Sequence, residues 1–108
     1  MKLKEYQAFT PTTAIYPNAT EQDEREYLML GLVSEAGEVA GILQKAIRDN
    51  AGVIDIQEIN NELGDLMYHI SQIANLYGLN LEYVLDGNVN KLTSRKERGA
   101  LGGSGNKR

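Results

Sequence analysis

From Thr20 onward the chain places apolar residues at intervals of three and four. Leu28, Leu32, Val39, Leu43 and Ala46 keep that spacing, as do Ile56, Ile59, Leu63, Leu66, Ile70, Ile73 and Tyr77. A period near 3.6 puts each set on one face of a helix. Local signals mark the ends. Thr20 with Asp23 fits a capping box, and Glu21, Asp23 and Glu24 crowd a first turn whose dipole favours negative charge. Lys45 and Arg48 sit near the end of that helix, and the stretch Asp49 to Gly52 stops it. Asp55 with Glu58 opens the next helix, and Gly78 closes it. Asn80 caps a fourth, with Leu81, Leu85 and Leu92 as its stripe and Gly99 as its stop. A short leading helix is predicted over Leu3 to Phe9. Pro11 and Pro17 predict an irregular stretch from Thr10 to Ala19. The pattern holds no convincing strand. It predicts an all-α, four-helix-bundle-like domain over residues 1–98, with one short and three longer helices. A flexible glycine-rich tail without function is expected over 99–108.

Composition narrows the chemistry. The 108 residues include no cysteine and one histidine. A disulfide scaffold, a thiolate nucleophile, an iron–sulfur cluster and the usual zinc sites are thereby excluded. Any metal must be held by oxygen, which favours Mg²⁺, with Mn²⁺ as a substitute. No apolar run approaches the ~20 residues of a membrane span, so no membrane partner is expected. The opening Met1-Lys2-Leu3-Lys4-Glu5 lacks a signal-peptide core, so a cytoplasmic location is expected. The formal charge of −4 disfavours a nucleic-acid partner. The charge is also segregated. No lysine or arginine occurs from Asp49 through Asn90, whereas six basic residues follow from Lys91 against the single acid Glu97. A chain this small with long amphipathic helices is expected to finish its core by self-association.

Two acid pairs stand out. Glu35 and Glu38 lie three apart on the second helix, and Glu62 and Asp65 lie three apart on the third. Residues three apart share a helix face. Glu35 interrupts the apolar stripe between Leu32 and Val39, and Glu62 falls between Ile59 and Leu66. An antiparallel hairpin would bring the pairs together, and four carboxylates there would repel unless protons or a cation intervened. The competing reading is a set of solvated helix acids. A di-iron bundle wants Glu-x-x-His from two helices, and His69 lies four after Asp65 instead. Lys45 continues the Glu38 face and His69 the Asp65 face. Lys91 and Arg95 share a face of the fourth helix, suited to phosphate. Gly37 and Gly41 read as packing devices.

These motifs resemble the MazG-like nucleoside triphosphate pyrophosphohydrolases. The family's Glu-x-x-Glu reads here Ser34-Glu35-Ala36-Gly37-Glu38-Val39. After a gap of 23 residues beyond Glu38, its Glu-x-x-Asp reads Asn61-Glu62-Leu63-Gly64-Asp65-Leu66. The ending Asn88-Val89-Asn90-Lys91-Leu92-Thr93-Ser94-Arg95 is similar to the family's Asn-x-x-Lys-Leu-x-x-Arg, and the resemblance spans about Tyr6 to Gly99. It implies a MazG-type helical domain that cleaves (deoxy)nucleoside triphosphates to monophosphate and pyrophosphate. Glu35, Glu38, Glu62 and Asp65 would hold Mg²⁺ and carry catalysis, one of the glutamates also serving as general base. Lys45, His69, Asn88, Lys91 and Arg95 would bind substrate, and the protein would be a homodimer or homotetramer. The alternative is a helical dimerisation or nucleotide-sensing module of the same fold without turnover. Many relatives carry Trp-Tyr after the last metal acid, where this chain has Tyr68-His69. Base stacking would therefore fall to Tyr16, Tyr27, Tyr68 or His69.

Overall fold

A computed structural model describes residues 1–108. It is all-α. Helix α1 spans Leu3–Phe9 and runs into a single 3-10 turn at Thr10–Thr13, within the stretch expected to be irregular. Helices α2 (Glu21–Asp49), α3 (Ile56–Leu76) and α4 (Leu81–Glu97) follow. Each long helix starts on the residue whose side chain caps it. Thr20 accepts from the Asp23 N–H, Asp55 from Gln57 N–H and Asn80 from Glu82 N–H, so each relieves an orphan donor of its first turn. At the end of α3, Gly78 takes φ +65°. A side chain there would be strained, and the conformation lets Leu79 N–H return to Ala74 O at 2.8 Å.

Helices α2 and α3 form an antiparallel hairpin and make the main packing of the fold. Helix α1 and its 3-10 turn cross the far end of α3 through a polar seam. The Gln7 amide donates to Asn75 Oδ1 (3.0 Å) and Leu79 O (2.7 Å) and accepts from Leu81 N–H (2.9 Å). The Thr10 and Ser71 hydroxyls, both buried, lie 2.8 Å apart. Gln72 donates to the Tyr16 hydroxyl at 2.6 Å. Tyr16 stacks on Tyr27 of α2 with centroids 4.8 Å apart.

One chain leaves most of its apolar surface uncovered. Only 9 of 108 residues are buried. The radius of gyration is 16.9 Å, against the ~13 Å of a compact domain this size. Of the predicted stripes, Leu28 and Leu81 are buried, while Leu43, Leu63, Ile70, Leu85 and Leu92 stay exposed and Ile56 is 76% exposed. Helix α4 packs on α1 near its start and does not lie along the hairpin. Leu32, Ile70, Ile73, Ala74, Leu79, Leu81 and Val84 consequently line an apolar hollow of about 250 Å³. No helix is long and apolar enough to cross a membrane.

Candidate functional site

The hairpin brings three of the four acids together. Carboxylate oxygens of Glu35, Glu62 and Asp65 all lie within 4.8 Å of one another. Glu35 and Glu62 are half-buried and Asp65 is exposed. Burial, then the negative charges of Asp65 and Glu35, push the Glu62 carboxyl above its ordinary value. Glu38 acts on Glu62 more weakly. It stands beside the cluster and lines a cleft of about 350 Å³ with Ile42, Lys45, Glu58, Asn61 and Glu62. Lys45 is therefore the cation within reach of the acids. The donor set fits a hard divalent ion. Its groups are all carboxylates, and their repulsion makes a cation favourable. Octahedral Mg²⁺ oxygens sit about 3 Å apart when adjacent and about 4.2 Å when opposite, so small side-chain rotations close the 4.8 Å span.

A second cleft, of about 300 Å³, opens on the other side of the cluster. Tyr27, Leu30, Gly31, Ser34, Glu35 and His69 line it. His69 is buried, with Nδ1 3.0 Å from Asp65 O. A carbonyl only accepts, so Nδ1 donates a proton to it, and Nε2 faces Gly31 of α2. A Cβ on Gly31 would lie 2.3 Å from Nε2, so the ring occupies the space of an absent side chain. The close approach falls at Gly31, a position the sequence pattern did not single out. At Gly37 and Gly41, read as packing devices, a Cβ would meet nothing within 4 Å. Tyr6 was missed as well. Burial raises its phenol pKa, and so do the charges of Asp65 and Tyr68, which places α1 near the acids.

Within one chain, Asn88, Lys91 and Arg95 are not brought to this cluster. Asn88 is exposed on α4. Lys91 and Arg95 bond to residues 105–106 of the tail, and the charges acting on Arg95 are Arg108 and Arg98.

A carboxylate cluster between two antiparallel helices of an all-α domain defines the class, and the comparison of families agrees. Residues 23–99 match the model of the MazG nucleotide pyrophosphohydrolase domain, and the chain belongs to that family. The chain is also similar to the "Gene 37 protein" of Mycobacterium phage L5. The two are 44% identical over 109 residues, covering 95% of this chain and 96% of that protein. No solved structure matches the chain.

Proposed function

We propose that the protein is a Mg²⁺-dependent pyrophosphohydrolase that cleaves (deoxy)nucleoside triphosphates between the α and β phosphates, releasing monophosphate and pyrophosphate. The observation that carries this reading is the Glu35–Glu62–Asp65 cluster lying inside the family-matching stretch. These three side chains would hold the ion, for which Mn²⁺ could substitute. Bound there, it would neutralise phosphate charge and make a water more acidic. Glu38 stands outside the cluster and takes the proton of the attacking water. Lys45, in the same cleft as Glu38, offsets charge on the leaving pyrophosphate. The Tyr27–Ser34–His69 cleft receives the nucleoside, with the half-exposed Tyr27 ring for stacking.

The exposed stripes support a homodimer or homotetramer, in which a second copy covers the apolar faces and acids of one copy share a nucleotide with α4 cations of another. A cytoplasmic location fits such a nucleotide substrate. Incubation with a panel of nucleoside and deoxynucleoside triphosphates and Mg²⁺, resolved by chromatography, tests the reaction. Monophosphate and pyrophosphate are expected, with none in excess chelator. Orthophosphate with a diphosphate would refute the assigned bond. Nucleotide binding without any product would leave a sensing module.

A further inference from the structure

The tail turns back along α4. Ala100 N–H bonds to Arg95 O at 2.7 Å. Lys91 Nζ donates to Asn106 Oδ1 (3.0 Å), and Arg95 Nη2 donates to Asn106 O (3.0 Å) and Gly105 O (3.4 Å). Arg98 Nη2 donates to Arg108 O (2.9 Å). The Arg108 side chain is itself bound by loop carbonyls, at 2.8 Å from Gly102 O and 2.6 Å from Gly105 O. Four cations thus gather at one end of α4, and only neutral oxygens answer Lys91 and Arg95. The molecule's one ion pair, Arg48–Asp49, lies elsewhere.

Arg95 shows what this arrangement lacks. It is 5% exposed, yet its Nε has no hydrogen-bond partner. Burial and the charges of Arg108 and Arg98 all disfavour its cation. The Nε–Nη2 edge of a guanidinium is the fork that a phosphate fills with two parallel bonds. Peptide oxygens fill one prong and leave the other empty, without supplying a full negative charge.

We propose that residues 102–108 form a displaceable latch over a phosphate site on α4, with the oxygens of Gly105 and Asn106 standing where those of a nucleotide di- or triphosphate bind. The choice of a nucleotide rests on the function proposed above. The latch itself requires only a polyphosphate. While it is closed, the apparent affinity falls by the fraction of open molecules.

Calorimetric titration of inorganic tripolyphosphate in metal-free buffer tests this in three proteins: the full chain, a chain ending at Leu101, and Asn106→Asp. Truncation removes Lys107 and Arg108, so simple charge attraction predicts weaker binding. The latch predicts binding about tenfold tighter, the effect of releasing one charge-assisted bond. Asn106→Asp gives the tail a carboxylate for Lys91 and Arg95 and should weaken binding several-fold. Arg95→Ala in the truncated chain should erase the gain, with helix content checked by circular dichroism. Equal or weaker binding after truncation overturns the latch, whatever the hydrolysis assay gives. Tighter binding with no nucleotide hydrolysis keeps the latch and removes the pyrophosphohydrolase reading.

Discussion

Replacing Gly31 by alanine should destabilise the protein through one contact. The new Cβ would lie 2.3 Å from His69 Nε2 and 2.6 Å from Cδ2. Ordinary contact is about 3.5–4.0 Å, so the ring must retreat by more than an ångström. Its burial and one hydrogen bond resist that movement. His69 is 8% exposed, and its Nδ1 is tied to Asp65 O at 3.0 Å. Its ring and that of Tyr68 meet edge-to-face with centroids 5.6 Å apart. Overpacking of this kind costs about 1–3 kcal/mol, and a broken hydrogen bond adds roughly 0.5–1.5 kcal/mol. Alanine recovers about 0.5–1 kcal/mol of helix propensity over glycine. The net expectation is a loss of about 1–3 kcal/mol, or roughly 5–20 °C in Tm for a domain of this size. Urea unfolding followed by circular dichroism, at one fixed protein concentration, measures it. His69→Ala removes the obstacle, so Gly31→Ala in that background should cost nothing or stabilise, a coupling the double-mutant cycle reads directly. A Gly31→Ala protein as stable as its parent, or an equal loss in both backgrounds, would refute the reasoning.

Glu62 titrates above its ordinary 4.5 because burial, Asp65 and Glu35 oppose its charge. The native state then binds its proton more tightly than the unfolded state does. Metal-free stability should therefore fall as pH rises from about 4.5 through the raised value. Glu62→Gln should abolish that fall and be the more stable protein at neutral pH, as melts across pH 4–8 would show. With Mg²⁺ the order should reverse: the parent gains about 2.7 kcal/mol at a hundredfold excess over Kd and the variant much less. Equal gains would remove the carboxylates from the metal site. Val84→Asp with Leu85→Asp puts charge on exposed apolar positions of α4 and should lower the mass seen by sedimentation; an unchanged mass would place the self-association surface elsewhere.

The helices could be read from the sequence because their signals are local. Thr20, Asp55 and Asn80 each bond to an N–H two or three residues on, so the caps need no knowledge of the rest of the fold. Spacing alone paired Glu35 with Glu38 on α2 and Glu62 with Asp65 on α3, and the hairpin joins Glu35, Glu62 and Asp65. Glu38, on the same spacing, falls beside the cluster. Its three-residue step from Glu35 sets it in a cleft with Lys45, Glu58 and the cluster's own Glu62. What stayed hidden is long-range. The Gly31–His69 contact joins two helices at a position where the sequence shows only a glycine in an apolar run. The seam of Gln7, Thr10, Ser71, Gln72 and Asn75 uses polar residues that a search for apolar stripes passes over. Periodicity identifies an apolar face but not its cover, and much of what Leu63, Leu85 and Leu92 present remains open in a single chain.

The seam that ties α1 to the rest of the molecule spans nearly the whole sequence. Gln7 bonds to Asn75 and to Leu81, partners 68 and 74 positions away. The α2–α3 hairpin, by contrast, joins neighbours across the short stretch between Asp49 and Ile56. Closing a loop of about 70 residues carries a larger entropy penalty than closing one of six, and the polar bonds that offset it each contribute only about 1 kcal/mol. The hairpin should therefore zip early in folding, and α1 should dock last and detach first. Amide hydrogens of the first ten residues would then exchange through a local opening while those of α3 wait for global unfolding. Because Tyr6 stands near Asp65, each such opening would also carry its phenol away from the acid cluster.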